Sequence, residues 1–200
     1  MKTEIDAQTV KKLRDETGAG MMNCKKALAE NDGDYEKAIE SLKLKGMATA
    51  DKKASRNTNE GMIYAYIHTG SKLGILVEIN CETDFVARRP EFSDLAKNIA
   101  MQIASNSEVK FVSSSEIPQS AKDELCKFES AKEDLQTKPQ EIRDKIVEGR
   151  VEKALKKQVL LEQEYIRDPS LTVNEYVKQL IGNVGENIRV ARFTRYVLGE

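Results

Sequence analysis

Two stretches of the chain alternate with a period of two, and a glycine-containing turn separates them. In the first, Ile63, Ala65 and Ile67 alternate with Tyr64, Tyr66 and His68. In the second, Leu73, Ile75, Val77 and Ile79 occupy every other position. Only an extended chain sends successive side chains to opposite faces, so this pattern excludes a helix across either stretch. With Thr69-Gly70-Ser71 between them, the two runs predict a β-hairpin.

The period changes on both sides of the hairpin. Residues 6–46 predict three short helices. Asp6 is placed to cap the first, Val10 and Leu13 share its inner face, and Gly18 ends it. The glycines of Thr17-Gly18-Ala19-Gly20 permit a tight turn. The second helix covers about Met22 to Glu30, with Cys24, Ala27 and Leu28 on one side. Asn31-Asp32-Gly33 forms a turn, Asp34 caps the third helix, Tyr35, Ala38, Ile39 and Leu42 recur at helical spacing, and Gly46 closes it. Residues 47–59 read as a linker or a frayed helix, with Lys52, Lys53 and Arg56 on a solvated face.

After the hairpin, Thr83-Asp84-Phe85-Val86 lies in the connection out of the second strand. Pro90 opens a helix with Phe92, Leu95, Ile99 and Ile103 on one face. A short strand is expected near Val109–Val112, and helices near 118–133 and 139–157, each entered by a proline. Thr172-Val173-Asn174-Glu175 has the form of a capping box and starts another helix. Ile188 to Leu198 reads as a closing strand. Helices mixed with an antiparallel sheet make the fold class α+β. The domain reading is a three-helix domain at 1–46, a linker at 47–59 and an α+β core at 60–200.

Composition narrows the function. Net charge is −1 with no tryptophan, which disfavours nucleic-acid binding, where a basic excess and stacking aromatics are the rule. No apolar run reaches the roughly 20 residues needed to span a bilayer, so no membrane association is expected. Cys24, Cys81 and Cys126 are odd in number and widely spaced, and His68 is the one histidine. They lack the close ligand pairs of zinc sites and read as free thiols. No GxxxxGK[ST] loop, GxGxxG motif or HExxH motif occurs, and the acidic residues around Gly33 do not form a calcium loop. No catalytic residue, metal or cofactor is expected.

Two segments carry a stronger signal. The first runs Leu13-Arg14-Asp15-Glu16-Thr17-Gly18-Ala19-Gly20-Met21-Met22-Asn23-Cys24-Lys25-Lys26-Ala27-Leu28. The second is His68-Thr69-Gly70 followed by Gly74-Ile75-Leu76-Val77-Glu78-Ile79-Asn80-Cys81-Glu82-Thr83-Asp84-Phe85-Val86-Ala87. Together with Gly185-Glu186-Asn187-Ile188 and Arg192-Phe193, they resemble the signature segments of the elongation factor Ts family, in the same order along nearly the whole chain. Asn23 departs from that pattern, which commonly has Asp.

The resemblance implies a ubiquitin-associated-like three-helix docking domain ahead of an α+β core. It implies guanine nucleotide exchange on the GTPase elongation factor Tu, with GDP released after the Mg²⁺ and phosphate site is disturbed. Thr83, Asp84, Phe85 and Val86 would be the intruding segment, with Phe85 as a wedge. Met21 and Met22 would dock on the GTPase domain, flanked by Arg14 and Lys25. The chain has room for one core half, as in short family members that pair two-fold, so a homodimer is expected.

Position alone favours other roles for these residues: Phe85 in the chain's own core, Asp84 capping the next helix, and one of the two methionines in the bundle core. A ubiquitin-type binding module on another scaffold and an enzyme acting on nucleotide are the rival functions. The first needs no Thr83–Val86 segment, and the second lacks a phosphate cradle. A transit peptide has no room before Val10, so the expected location is the bacterial cytoplasm, or the plastid stroma for an organelle-encoded protein.

Overall fold

A computed structural model describes residues 5–136 and 138–200. The first four residues of the expected N-terminal domain lie outside the described residues. The chain is α+β. In order, it forms α1 (Ala7–Thr17), α2 (Met21–Glu30), α3 (Tyr35–Lys53), β1 (Glu60–Ile67), β2 (Leu73–Cys81), α4 (Asp84–Ala87), α5 (Pro90–Ser105), α6 (Gln119–Ser130) and α7 (Glu133–Gln136). It continues with α8 (Gln140–Gln158), β3 (Glu164–Tyr165), β4 (Asp168–Thr172), α9 (Val173–Val184) and β5 (Ile188–Val197). One sheet has the order β1-β2-β5, and β3 pairs antiparallel with β4 in a second.

The residues divide into two compact units. The first comprises the chain up to Tyr64, Glu78–Ala96 and Glu175–Val190. Its N-terminal part is a bundle of α1, α2 and α3 around Val10, Leu13, Cys24, Ala27, Leu28, Ala38 and Leu42. Asp6 accepts a hydrogen bond from the Thr9 N–H at 3.3 Å, and Asp34 accepts from the Lys37 N–H at 3.1 Å, so both expected N-caps form. Gly18 ends α1, its N–H donating to the Arg14 carbonyl at 2.8 Å.

Gly46 does not close the third helix. α3 continues to Lys53 and takes in half of the stretch expected as a linker or a frayed helix. A single glycine costs a helix only about 1 kcal/mol, and tertiary contacts described below outweigh that. The basic cluster is also more than a solvated face. Lys53 donates to the Gly185 carbonyl, and Arg56 pairs with Glu82 at 3.4 Å.

The second unit comprises Ala65–Val77, Lys97–Asn174 and Ala191–Glu200. Here α6 and α8 pack together, and Leu135, Val147 and Val151 are buried with Leu125, Ile146 and Leu155 against them. The expected strand at Val109–Val112 reduces to one parallel bridge between Phe111 and Val159. The β3–β4 hairpin was not expected, because Glu164–Thr172 lacks apolar alternation. Its anchor is the buried Gln102, whose amide donates to Gln163 Oε1 at 2.9 Å and to the Glu164 carbonyl at 3.2 Å. Gln102 Oε1 accepts from the Ile166 N–H at 2.9 Å, so this buried amide is fully engaged.

The β1–β2 hairpin follows the period-two reading. Along β2 the odd positions Ile75, Val77, Ile79 and Cys81 are buried while Leu76 is exposed. At its far end, Gly61 has φ 148° and faces β2 closely. A Cβ there would sit 2.1 Å from the Ile79 carbonyl oxygen and 2.7 Å from Asn80 Cα. Both the dihedral and the space require glycine. Gly61→Ala is therefore expected to lower stability by about 3 kcal/mol, read as a shifted denaturant midpoint at constant slope.

Candidate partner-binding site

The β2 strand ends at Cys81, and the next residues reverse into the single turn α4. Burial alternates sharply here. Cys81, Val86 and Ala87 are buried, whereas Phe85 between them is 80% exposed. Burial of Cys81, Val86 and Ala87 fixes the backbone and leaves the aromatic ring in solvent. Phe85 does not pack in the chain's own core.

Thr83 is the hub of the turn. Its N–H donates to Glu186 Oε2 at 3.0 Å and its hydroxyl to Glu186 Oε1 at 2.7 Å. Its carbonyl accepts from the Cys81 thiol at 3.1 Å and from the Ala87 N–H at 3.2 Å. Burial, and secondarily the Glu186 charge, push the Cys81 thiol up to about 11, so it remains a neutral donor. Asp84 does not cap the next helix. It is the first residue of α4, and its Oδ2 pairs with Arg88 Nη2 at 3.0 Å on the surface. The pair is worth little stability and presents a charged rim beside Phe85.

The residue after Glu186 braces the same turn. The Asn187 N–H donates to Glu82 Oε1 at 2.6 Å, and its buried amide donates to the Arg56 carbonyl at 2.9 Å and the Ala54 carbonyl at 3.3 Å. In the sequence, Glu186 and Asn187 stand out only through the resemblance carried by Gly185-Glu186-Asn187-Ile188. Nothing local in the pattern shows that Glu186 reaches a residue 103 positions away.

The other expected site residues lie on the bundle. Met21 and Met22 open α2 at 43% and 75% exposure, so neither fills the bundle core. Arg14 near the end of α1 and Lys25 on α2 are exposed as well. All four belong to the segment around the glycine turn. Cys24, by contrast, points inward, its thiol 3.6 Å from the Ala19 carbonyl and its pKa raised by burial. Among the described residues, no group of three or more His, Cys, Asp and Glu is arranged to hold a metal ion. No described helix is long and apolar enough to cross a membrane.

The chain is similar to known elongation factors of translation. Residues 4–200 match the family described as Elongation factor TS. The chloroplastic elongation factor Ts of Phaeodactylum tricornutum is 78% identical over the whole chain and 99% of its own length. That of Rhodomonas salina is 62% identical over the whole chain and 91% of its length. The elongation factor Ts of the bacterium Rippkaea orientalis is 55% identical over 98% of the chain and 79% of its own length. The chain belongs to the elongation factor Ts family, and thus is a translation elongation factor acting as a nucleotide exchange factor.

The hydrogen bonds of Glu186 give a direct expectation. Glu186→Ala removes two acceptors for Thr83 and should cost about 1.5–3 kcal/mol, since bonds to a charged acceptor are the stronger kind. Combined with Thr83→Val, the loss should be clearly less than the sum of the two single losses. Denaturant unfolding of the four proteins in this cycle measures the coupling.

Proposed function

We propose that the chain binds elongation factor Tu in its GDP form, disturbs the Mg²⁺ and phosphate site and so promotes GDP release, with GTP then free to enter. No bond is made or broken in the exchange. The factor acts by stabilising a partner conformation that holds nucleotide poorly, and nucleotide must weaken the factor's grip by the same ratio. The observation that carries this reading is the exposure of Phe85 on a turn whose neighbours are buried.

An exposed phenylalanine brings a large apolar area to any gap that receives it. On this reading Phe85 enters between helices of the GTPase domain, while Asp84 makes polar contacts that shift groups near the metal. Thr83 and Val86 hold the turn, one through Glu186 and the other through burial. The bundle is a ubiquitin-associated-like docking module. Met21 and Met22 are its adaptable contact surface, and Arg14 and Lys25 supply ionic contacts at the edge. The location is the plastid stroma or the bacterial cytoplasm, in keeping with the chloroplastic and bacterial relatives.

Two variants separate the roles. Phe85→Ala should fold normally yet accelerate release of fluorescent GDP from elongation factor Tu at least about tenfold less at saturation, as expected for a central aromatic anchor. Met21→Ala with Met22→Ala should instead raise the half-saturating concentration about tenfold. Full activity in the first variant removes the wedge role, and unchanged affinity in the second removes the docking role.

A homodimer is proposed from the outward face of the sheet. Ile67, Leu76, Tyr196 and Leu198 are all large, apolar and exposed there. Ile67 lies over Gly74, where a Cβ would come within 3.2 Å of its Cδ1, and the Leu198 N–H donates to the Lys72 carbonyl at 2.9 Å. Arg195 faces the other way, donating to the carbonyls of Ile103 and Asn106. Exposed large apolar side chains of this kind suit a self-complementary two-fold contact. Leu76→Glu with Tyr196→Glu should sediment as a monomer at concentrations where the unaltered chain sediments as a dimer.

A further inference from the structure

One short piece of chain touches both halves of the proposed activity. At its start, Lys178 on α9 pairs with Asp51 of α3 at 2.6 Å. One turn on, Gly182 meets Gly46 backbone to backbone: a Cβ at Gly182 would lie 2.8 Å from Gly46 Cα and 3.4 Å from its carbonyl carbon and oxygen. Asn183 then donates to the Thr17 carbonyl at 3.1 Å, at the glycine turn that leads into Met21. Gly185 accepts from Lys53. Glu186 holds Thr83, the residue before Asp84 and Phe85, and Asn187 holds Glu82.

We propose that Lys178–Asn187 is a rigid brace that fixes the docking surface at Met21 and Met22 relative to Phe85, so that docking energy is delivered to the exchange step. The proposal rests on the exchange reading given above and assigns Gly182, Asn183 and Glu186 as positioning residues within it. All of these groups lie in the first compact unit.

The physical need is general. Binding at a remote surface accelerates a step only if it is stronger in the strained state than in the ground state. A wedge joined loosely to its dock could remain outside the gap while the dock binds, and the contact would then raise affinity without raising the release rate. A stiff connection removes that option. It also explains why α3 continues past Gly46 instead of ending there, since Asp51 and Lys53 on its last turns are two of the ties.

The glycine contact supplies a matched pair of variants. Gly182→Ala places its Cβ 2.8 Å from backbone atoms that cannot turn aside, so α3 and α9 must separate. Gly46→Ala makes only an ordinary 4.0 Å contact with Gly182 Cα and serves as the control. Release of fluorescent GDP from elongation factor Tu is measured against factor concentration, giving a half-saturating concentration and a maximal rate.

For Gly182→Ala the maximal rate should fall about tenfold or more while the half-saturating concentration stays within about twofold. Gly46→Ala should match the unaltered chain in both. Lys178→Ala with Asn183→Ala, which removes two ties without a clash, should lower the maximal rate in the same sense and decides the matter if Gly182→Ala fails to fold. An unchanged maximal rate in a folded variant overturns the brace, as does a raised half-saturating concentration alone. If the unaltered chain leaves GDP release unaccelerated, the exchange reading itself fails, a result distinct from any difference between variants.

Discussion

The two hydrogen bonds from Thr83 to the Glu186 carboxylate decide where the exposed turn sits. They join the exit from β2 to the entry of β5, two points far apart in sequence. A carboxylate accepting both an amide and a hydroxyl is held in direction as well as distance, which a single neutral bond does not achieve. Around it, the carbonyl of Thr83 is itself doubly engaged, and Asn187 ties Glu82 to the start of the helix–strand connection at Ala54 and Arg56. The turn therefore has little freedom left, even though its most conspicuous side chain touches solvent.

That arrangement carries an energetic cost. Burying a phenylalanine is worth about 1.5–3 kcal/mol relative to leaving it exposed, and the fold forgoes that at Phe85. It is sustained because the apolar residues nearest it do the opposite. Val86 and Ala87 are buried, as are Cys81 on the preceding strand and Phe92 on the following helix. A position where local burial rules are broken while everything around it obeys them is where function is expected.

The elements with strong periodicity were legible from residues alone. The hairpin, the caps at Asp6 and Asp34, the apolar face of α5 and the closing strand all rest on local pattern, and local pattern is enough for them. The failures have a common physical source. Gly46 reads as a stop because glycine disfavours helix, yet α3 continues and is met by another glycine 136 positions later, an approach that a Cβ on Gly182 would block. The β3–β4 hairpin is held by a glutamine from α5, and Lys53 and Arg56 find their partners across the fold. The site divides in the same way. Phe85 and the two methionines stood out through resemblance, while Glu186, Asn187 and Asn183 act through contacts that no window along the chain contains.

On the proposed reading, the surface divides its work by chemistry. Charged groups at the edge, Arg14 and Lys25 on the bundle and the Asp84–Arg88 pair beside the wedge, govern encounter and orientation more than final affinity. Methionines suit a contact that must tolerate movement in its partner, because an unbranched thioether re-packs at low cost. The ring of Phe85 is rigid, and its backbone is held on both sides, so it transmits displacement instead of absorbing it. An exchange factor needs all three properties, and it needs them at fixed separation. On the same reading, the proposed brace of α9 and the turn after it would make a compliant dock and a stiff wedge parts of one device, and would place the control of exchange in residues that need not touch the partner.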